Sequence, residues 1–209
     1  MAKPGSESTT APGAPSGQVL GADFFARDTK EVARDVLGKI LVREVDGTAI
    51  WGRLVEVEAY LGPEDLAAHS SRGRRSPRNE VMYGGAGHAY VYFTYGMHFC
   101  LNFVTREVGV PQAVLVRALE PGPEVGRCGG PGLVTRALKI DRTVNGLRLR
   151  PPDIYVVDDG APRGRIFATP RIGIAGSGLV WERRLLRYCL DSPHLSRPLS
   201  KGRRRVMAS

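Results

Sequence analysis

The chain reads as a single compact α+β domain built on a largely antiparallel β-sheet with flanking helices. Strand-like runs outnumber helix-like runs, and no strand, helix, strand alternation of the kind that builds a parallel sheet is present. The strands also arrive as hairpins. Lys39 to Val45 and Ala49 to Tyr60 flank Asp46-Gly47, a two-residue turn signal, and His88 to Val104 fold back on themselves about Tyr95-Gly96-Met97.

Each element has a local reason. Residues 1–18 are rich in Gly, Pro, Ser, Ala and Thr and too poor in large apolar side chains to pack, so they read as a disordered tail ahead of a domain over 19–205. Asp28 stands three before Glu31 as a capping box, and Val32, Val36 and Leu37 follow at helical spacing up to Gly38. Gly62-Pro63 ends the first hairpin, and Pro63-Glu64-Asp65 starts a helix to about His69, with acids at the positive end of its dipole. Ala113 to Leu119 is a buried strand, Pro121 to Gly132 a loop, and Leu133 to Ile140 a short helix. Asp153 to Val157, Arg171 to Ile174 and Leu186 to Leu190 are further strands. No internal repeat is visible.

Composition narrows the function. The net charge is +9 and the isoelectric point near 9.9, which points to a polyanionic partner. From Glu182 onward Arg183, Arg184, Arg187, Arg197, Lys201, Arg203, Arg204 and Arg205 stand against Glu182 and Asp191, eight cations to two anions. A second cluster, Arg72, Arg74, Arg75 and Arg78, follows His69 with no acid among them, and the two together favour a nucleic-acid surface over solvated charge. No apolar run approaches the roughly 20 residues of a membrane span, and there is no signal-peptide pattern. The expectation is a monomer, cytoplasmic beside a bacterial nucleoid or nuclear in a eukaryote. Cys100, Cys128 and Cys189 are odd in number and far apart, and His88, His98 and His194 lack ligand spacing, so neither a metal site nor a cofactor is expected. The glycine stretches at 84–87, 129–132 and 173–178 lack the context of a dinucleotide fingerprint and read as turns.

The chemistry concentrates between Leu54 and His69. Strict alternation puts Val55, Val57 and Ala59 on one face of a strand and Glu56, Glu58 and Tyr60 on the other. Two alternating glutamates alone are more often a solvated face; an aromatic ring, an imidazole and a basic loop beside them make an active site the better account. Tyr95 sits at a hairpin tip, where a large ring is exposed unless something receives it, and a ring so placed can wedge between stacked bases. Asn102 lies in an apolar strand and needs partners for its amide, which a loop backbone could supply. Arg117 is a charge within the buried strand Val114 to Leu119 and needs an anion, either Glu58 or a phosphate. Two other classes remain open on these residues: a non-catalytic damaged-DNA-binding module using the basic faces, and a metal-dependent nuclease using Glu56, Glu58 and Asp65.

The runs Leu54 to Asp65 through Ala68-His69, Pro77-Arg78-Asn79, Tyr90-Val91-Tyr92 through Tyr95-Gly96-Met97 to Asn102, and Val116 to Pro121 together resemble the alkyladenine (3-methyladenine) DNA glycosylases. The resemblance runs from about Phe24 to Ser196. It implies a curved sheet, a protruding hairpin inserted into DNA, no metal, and hydrolysis of the N-glycosidic bond of alkylated purines in double-stranded DNA, leaving an abasic site. It further implies roles: Glu58 activating water, Arg117 beside it in the catalytic set holding the site's phosphate and water, Tyr60, His69 and Tyr92 lining the base pocket, and Asn102 in that pocket excluding guanine by its exocyclic amine. Tyr95 would fill the vacated stack. Two departures, Leu133 where the family commonly has Lys and the run Arg187 to Pro193, fall outside this set.

Overall fold

The computed structural model describes residues 11–199 and the strand Arg205–Val206. Ten strands are found among them: β1 (Gln18–Val19), β2 (Ile40–Val45), β3 (Thr48–Tyr60), β4 (Ala89–Thr94), β5 (His98–Thr105), β6 (Gln112–Pro121), β7 (Ile154–Asp158), β8 (Ile166–Thr169), β9 (Arg187–Leu190) and β10 (Arg205–Val206). Four short helices accompany them: α1 (Ala22–Phe25), α2 (Thr29–Asp35), α3 (Pro131–Ala137) and α4 (Leu179–Arg183). Every pair of neighbouring strands is antiparallel.

The sheet runs β1-β7-β2-β3-β6-β5-β4, with β9, β8 and β10 as a branch from β3. The branch exists because β3 is thirteen residues long. Its first half, Thr48–Arg53, pairs with β2, and Glu56–Glu58 pair with β9, while β6 lines the opposite edge. The first hairpin closes as its sequence requires, with Asp46 and Gly47 both at positive φ (52° and 74°) between the partners Val45 and Thr48.

One face of the sheet carries the core. Val57, Ala59, Val91, Leu101, Phe103, Val114, Val116 and Tyr188 bury there against Phe25 of α1, Val32 and Ala33 of α2, and Val134 of α3. Asp28 caps α2 by accepting from the backbone N–H of Lys30 and Glu31, a contact of the kind worth roughly 1 kcal/mol. The other face is divided. Ile40, Val42, Tyr155 and Val157 pack at one end, and Met82, Tyr90, Val104 and Ala113 at the other. Between these clusters lies the polar ground where the alternation of β3 directs Glu56, Glu58 and Tyr60.

Three expectations are corrected. Pro63 to His69 is not a helix: a single 3-10 turn over Gly62–Glu64 is followed by turns, because the Asp65 carboxylate accepts from the N–H of Leu61 and Ala67 and closes the chain locally. Arg171 to Ile174 is not a strand; the strand is β8, just before it, and Arg171 is drawn inward to Asp65. The helix α3 covers Pro131–Ala137 rather than Leu133 to Ile140, since Pro131 takes its first position. Of the stretch expected as a tail, residues 1–10 lie outside the described residues; further on, Gln18 pairs with Asp158 and Gly13 O accepts from the Trp51 indole.

Candidate active site

Sheet register assembles the site. Tyr90 faces Asn102 across β4 and β5, Asn102 faces Leu115 on β6, Leu115 faces Glu58 on β3, and Glu58 faces Arg187 on β9. Five strands thus lay one row of residues across the sheet. The pairing of β3 with β6 is irregular on both sides of Glu56: Leu54 to Glu56 opposes Leu119 to Ala118, then Glu56 to Val57 opposes Ala118 to Val116. Each strand bulges once, so the register recovers, and Arg117 is the extra residue on β6. Bulges of this kind re-aim a side chain. Here the Arg117 guanidinium reaches both glutamates, with Nε 2.9 Å from Glu56 Oε1 and Nη1 3.4 Å from Glu58 Oε2.

Glu58 is fully buried at the base of this arrangement. Its Oε1 accepts from the N–H of Ile172 at 2.7 Å, and its Oε2 from the hydroxyl of Tyr60 at 3.0 Å. Burial pushes its carboxyl above the ordinary range, against the opposing pull of Arg117, the Ile172 N–H and Tyr60. Glu56 is equally buried but moves the other way. Desolvation is more than offset by Arg187, Ser196 and Arg117, and its carboxyl is held low. Two carboxyl groups two residues apart are therefore driven in opposite directions.

A cavity of about 600 Å³ is lined by the three residues that contact Glu58, namely Tyr60, Arg117 and Ile172, and by His69, Tyr92 and Asn102, with Tyr95 at its edge. Its aromatic wall is continuous: His69 stands edge-on to Tyr92 at 4.4 Å, and Tyr90 lies 5.4 Å from Tyr92. His69 Nδ1 is 2.7 Å from the Tyr90 hydroxyl. Burial, with Arg78 and Arg74 nearby, lowers the imidazole to about 4, so the ring is neutral at physiological pH. The hydrogen bond between His69 Nδ1 and the Tyr90 hydroxyl runs in the direction that the imidazole tautomer sets. Asn102 donates from Nδ2 to Tyr90 O at 3.1 Å, which fixes the amide.

The second hairpin projects beyond the cavity. Tyr95 is 82% exposed and adopts φ 50°, followed by Gly96 at φ 67°, and the N–H of Met97 donates to Thr94 O. Both residues lie at positive φ, a region that glycine enters freely and tyrosine does not. The turn holds a large ring out in solvent at a local conformational cost. Phe93 and Phe99, with ring centroids 5.0 Å apart, brace the hairpin below it.

The arginine loop is organised by a residue the sequence did not single out for a role. Asn79 is buried, donates to His69 O and Arg74 O, and accepts from the N–H of Ser76. Arg72, Arg74, Arg75 and Arg78 are all exposed. Arg75 forms a bidentate pair with Glu80, and Arg78 donates to Phe93 O while lying over the Tyr92 ring. Arg72 takes a left-handed conformation, with φ 57°.

The structure brings together Glu58, Tyr60, His69, Tyr92, Asn102 and Arg117, with Tyr95 beyond them, and adds partners that sequence reasoning passed over. Asp65 and Arg171 form a fully buried bidentate pair (2.6 and 2.7 Å), and the Arg171 guanidinium carbon sits 4.5 Å from the Tyr60 ring centroid. Arg187 donates to Glu56 at 2.8 Å. Arg187 carried the same signal as Arg117, a cation between apolar residues of a strand, and could have been found by it. Glu56 and Asp65 are each taken up by guanidinium groups, which leaves them poorly placed to hold a divalent cation together with Glu58.

Residues 23–193 match the model of the methylpurine-DNA glycosylase family. A protein of Desulfitobacterium hafniense (strain Y51) is 46% identical over 198 residues, covering 85% of this chain and 98% of its own. One from Legionella pneumophila (strain Paris) is 45% identical over 177 residues, covering 83% and 96%. One from Methanocella arvoryzae is 42% identical over 193 residues, covering 86% and 96%. All three bear the name "Putative 3-methyladenine DNA glycosylase". Between an enzyme and a binding module built on the same basic faces, these matches decide for the enzyme: the chain belongs to the methylpurine-DNA glycosylase family and is a DNA glycosylase of DNA repair.

Proposed function

We propose that this enzyme turns an alkylated purine out of duplex DNA into the aromatic cavity and hydrolyses its glycosidic bond there, with Glu58 as the base. The observation that carries this reading is a fully buried carboxylate whose three hydrogen-bond donors, Tyr60, Arg117 and the Ile172 N–H, belong to residues that line an aromatic cavity with His69 and Tyr92. A base inside the stack is out of reach of any side chain, so extrusion comes first, and it is easiest where damage has weakened the pair. Tyr95, already held outward, takes the vacated place in the stack. Arg72, Arg74 and Arg78 supply charge for the flanking phosphates, with Arg75 tied to Glu80.

Glu58 takes a proton from water as the water oxygen bonds to C1′. The bond from C1′ to the purine nitrogen breaks, and its electron pair neutralises the cationic ring. Purines such as 3-methyladenine and 7-methylguanine carry that charge, and tyrosine faces favour it over a neutral ring. A neutral His69 does not repel it. Hypoxanthine is a further candidate substrate. Arg117 stabilises negative charge at the attacking water, and Asn102, fixed through Tyr90 O, discriminates at the far edge of the base.

The test is release of free bases from methylated duplex DNA at low salt. The native protein should release methylated purines and Glu58→Gln should not, while Glu58→Gln still binds abasic-site duplex. Turnover by Glu58→Gln removes the carboxylate from the mechanism.

A further inference from the structure

Glu56 and Glu58 are equally buried and share Arg117, yet the sharing is uneven. Glu56 Oε1 accepts from Arg117 Nε (2.9 Å), Arg187 Nε (2.8 Å) and Ser196 Oγ (2.6 Å), and its Oε2 accepts from the Ser196 N–H at 2.6 Å. Glu58 receives only Nη1 of Arg117, at 3.4 Å. Ser196 Oγ in turn accepts from Arg117 Nη2 at 3.3 Å, and Arg187 reaches Arg197 O with its own Nη2. One carboxylate therefore gathers β6, β9 and the segment after β9 at a point beside the base.

We propose that Glu56 is a positioning residue for this reaction: by holding Arg117 through its Nε, it sets how much of the guanidinium charge Glu58 receives. The inference rests on the reading of Glu58 as the base. Several groups bear on Glu58 from the surrounding elements: Glu56 and Tyr60 of β3, Arg117 of β6, Cys100 of β5, Tyr92 of β4, and Arg187 and Cys189 of β9. The N–H of Ile172 completes the set. Among these, Arg117 is the cation in contact with Glu58, and Glu56 is what restrains it. With both glutamates ionised, two carboxylates face two guanidinium groups. Without the Glu56 charge, one carboxylate faces both, Arg117 turns to Glu58, and the base is weakened.

The experiment is kcat/KM for release of 7-methylguanine from duplex DNA as a function of pH, for the native protein, Glu56→Gln, Arg187→Gln and Glu58→Gln, with melting temperatures recorded alongside. Glu56→Gln should move the acid limb to lower pH by about one unit and lower the plateau about tenfold. Arg187→Gln removes a cation and leaves Glu56 to Arg117, so its limb should move to higher pH. A residue that only braces the fold would lower the melting temperature and the active fraction without moving the limb. An unmoved limb in the folded variants, with Glu58→Gln inactive, overturns the role of Glu56 and leaves the base assignment standing. Activity in Glu58→Gln overturns the base assignment itself. Should Glu56→Gln fail to fold, Arg187→Gln decides alone: an upward shift supports the inference and no shift overturns it.

Discussion

The Tyr60 hydroxyl donates to Glu58 Oε2 across 3.0 Å while the same ring lies against the Arg171 guanidinium, 4.5 Å from centroid to carbon. One side chain thus serves as a wall of the cavity and a hydrogen-bond donor to Glu58, the base we propose. Tyr60→Phe separates the two duties. The phenol favours the ionised carboxyl, so its loss should raise the Glu58 pKa further and shift the acid limb of kcat/KM to higher pH. Above that limb the rate should stay within about tenfold of the native value. A limb that stays in place would mean that the hydroxyl does not bear on the base.

Glu58 also bears on stability. Burial raises its folded pKa above the ordinary 4.5, so the folded protein holds this proton more tightly than the unfolded chain does. Its contribution to stability is complete below pH 4.5 and is lost as the pH rises through the folded value. Glu58→Gln removes the liability. It should melt higher than the native protein at pH 8, at roughly 2–4 °C per kcal/mol for a chain of this size, and the advantage should vanish toward pH 4. Thermal unfolding across that range checks it.

His69 has the opposite sign. Its folded pKa of about 4 lies below the ordinary 6.5, so its contribution is present above pH 6.5 and is lost as the pH falls toward 4. NMR of the imidazole at pH 6 should find a neutral ring. A protonated ring there would remove the argument that the cavity tolerates a cationic base.

Tyr95→Asn replaces a tyrosine at positive φ by a residue that accepts the left-handed conformation more readily. The hairpin should gain about 0.5–1 kcal/mol in stability. Base release from duplex DNA should fall steeply, and release from single-stranded DNA, which has no stack to refill, should fall much less. Equal losses on both substrates would show that the ring is not acting as a wedge.

Asp65→Asn should be the most damaging of these substitutions to the fold. It leaves the Arg171 guanidinium buried without its counter-charge, a loss of about 3–5 kcal/mol. Denaturant unfolding should show it, and replacing both partners by apolar residues should recover part of the deficit.

The local half of the site was legible in the sequence. Alternation along β3 put Glu58 beside Tyr60, the glycine after Tyr95 marked the hairpin tip, and a lone charge in an apolar strand marked Arg117. What was not legible is the pairing of side chains far apart in the chain. Asp65 read as a helix start because its partner Arg171 lies 106 residues on, and Glu56 read as part of an acidic face because Arg187 and Ser196 lie 131 and 140 residues away. The bulges that aim Arg117 arise between β3 and β6 together and have no signature in either strand alone.

The reach from Glu56 to Ser196 has a consequence for synthesis. A nascent chain that has emerged only as far as β8 already holds Glu58, Tyr60, the aromatic wall and the hairpin with its tyrosine, yet Arg187 and Ser196 have still to be made. Until they arrive, Glu56 lacks three of its four donors, and Arg117 is shared between two carboxylates with no third party to hold it. A chain that ends at β8 also lacks Arg171 and Ile172, the partners of Asp65 and Glu58, so the sequence after β8 completes the polar half of the site.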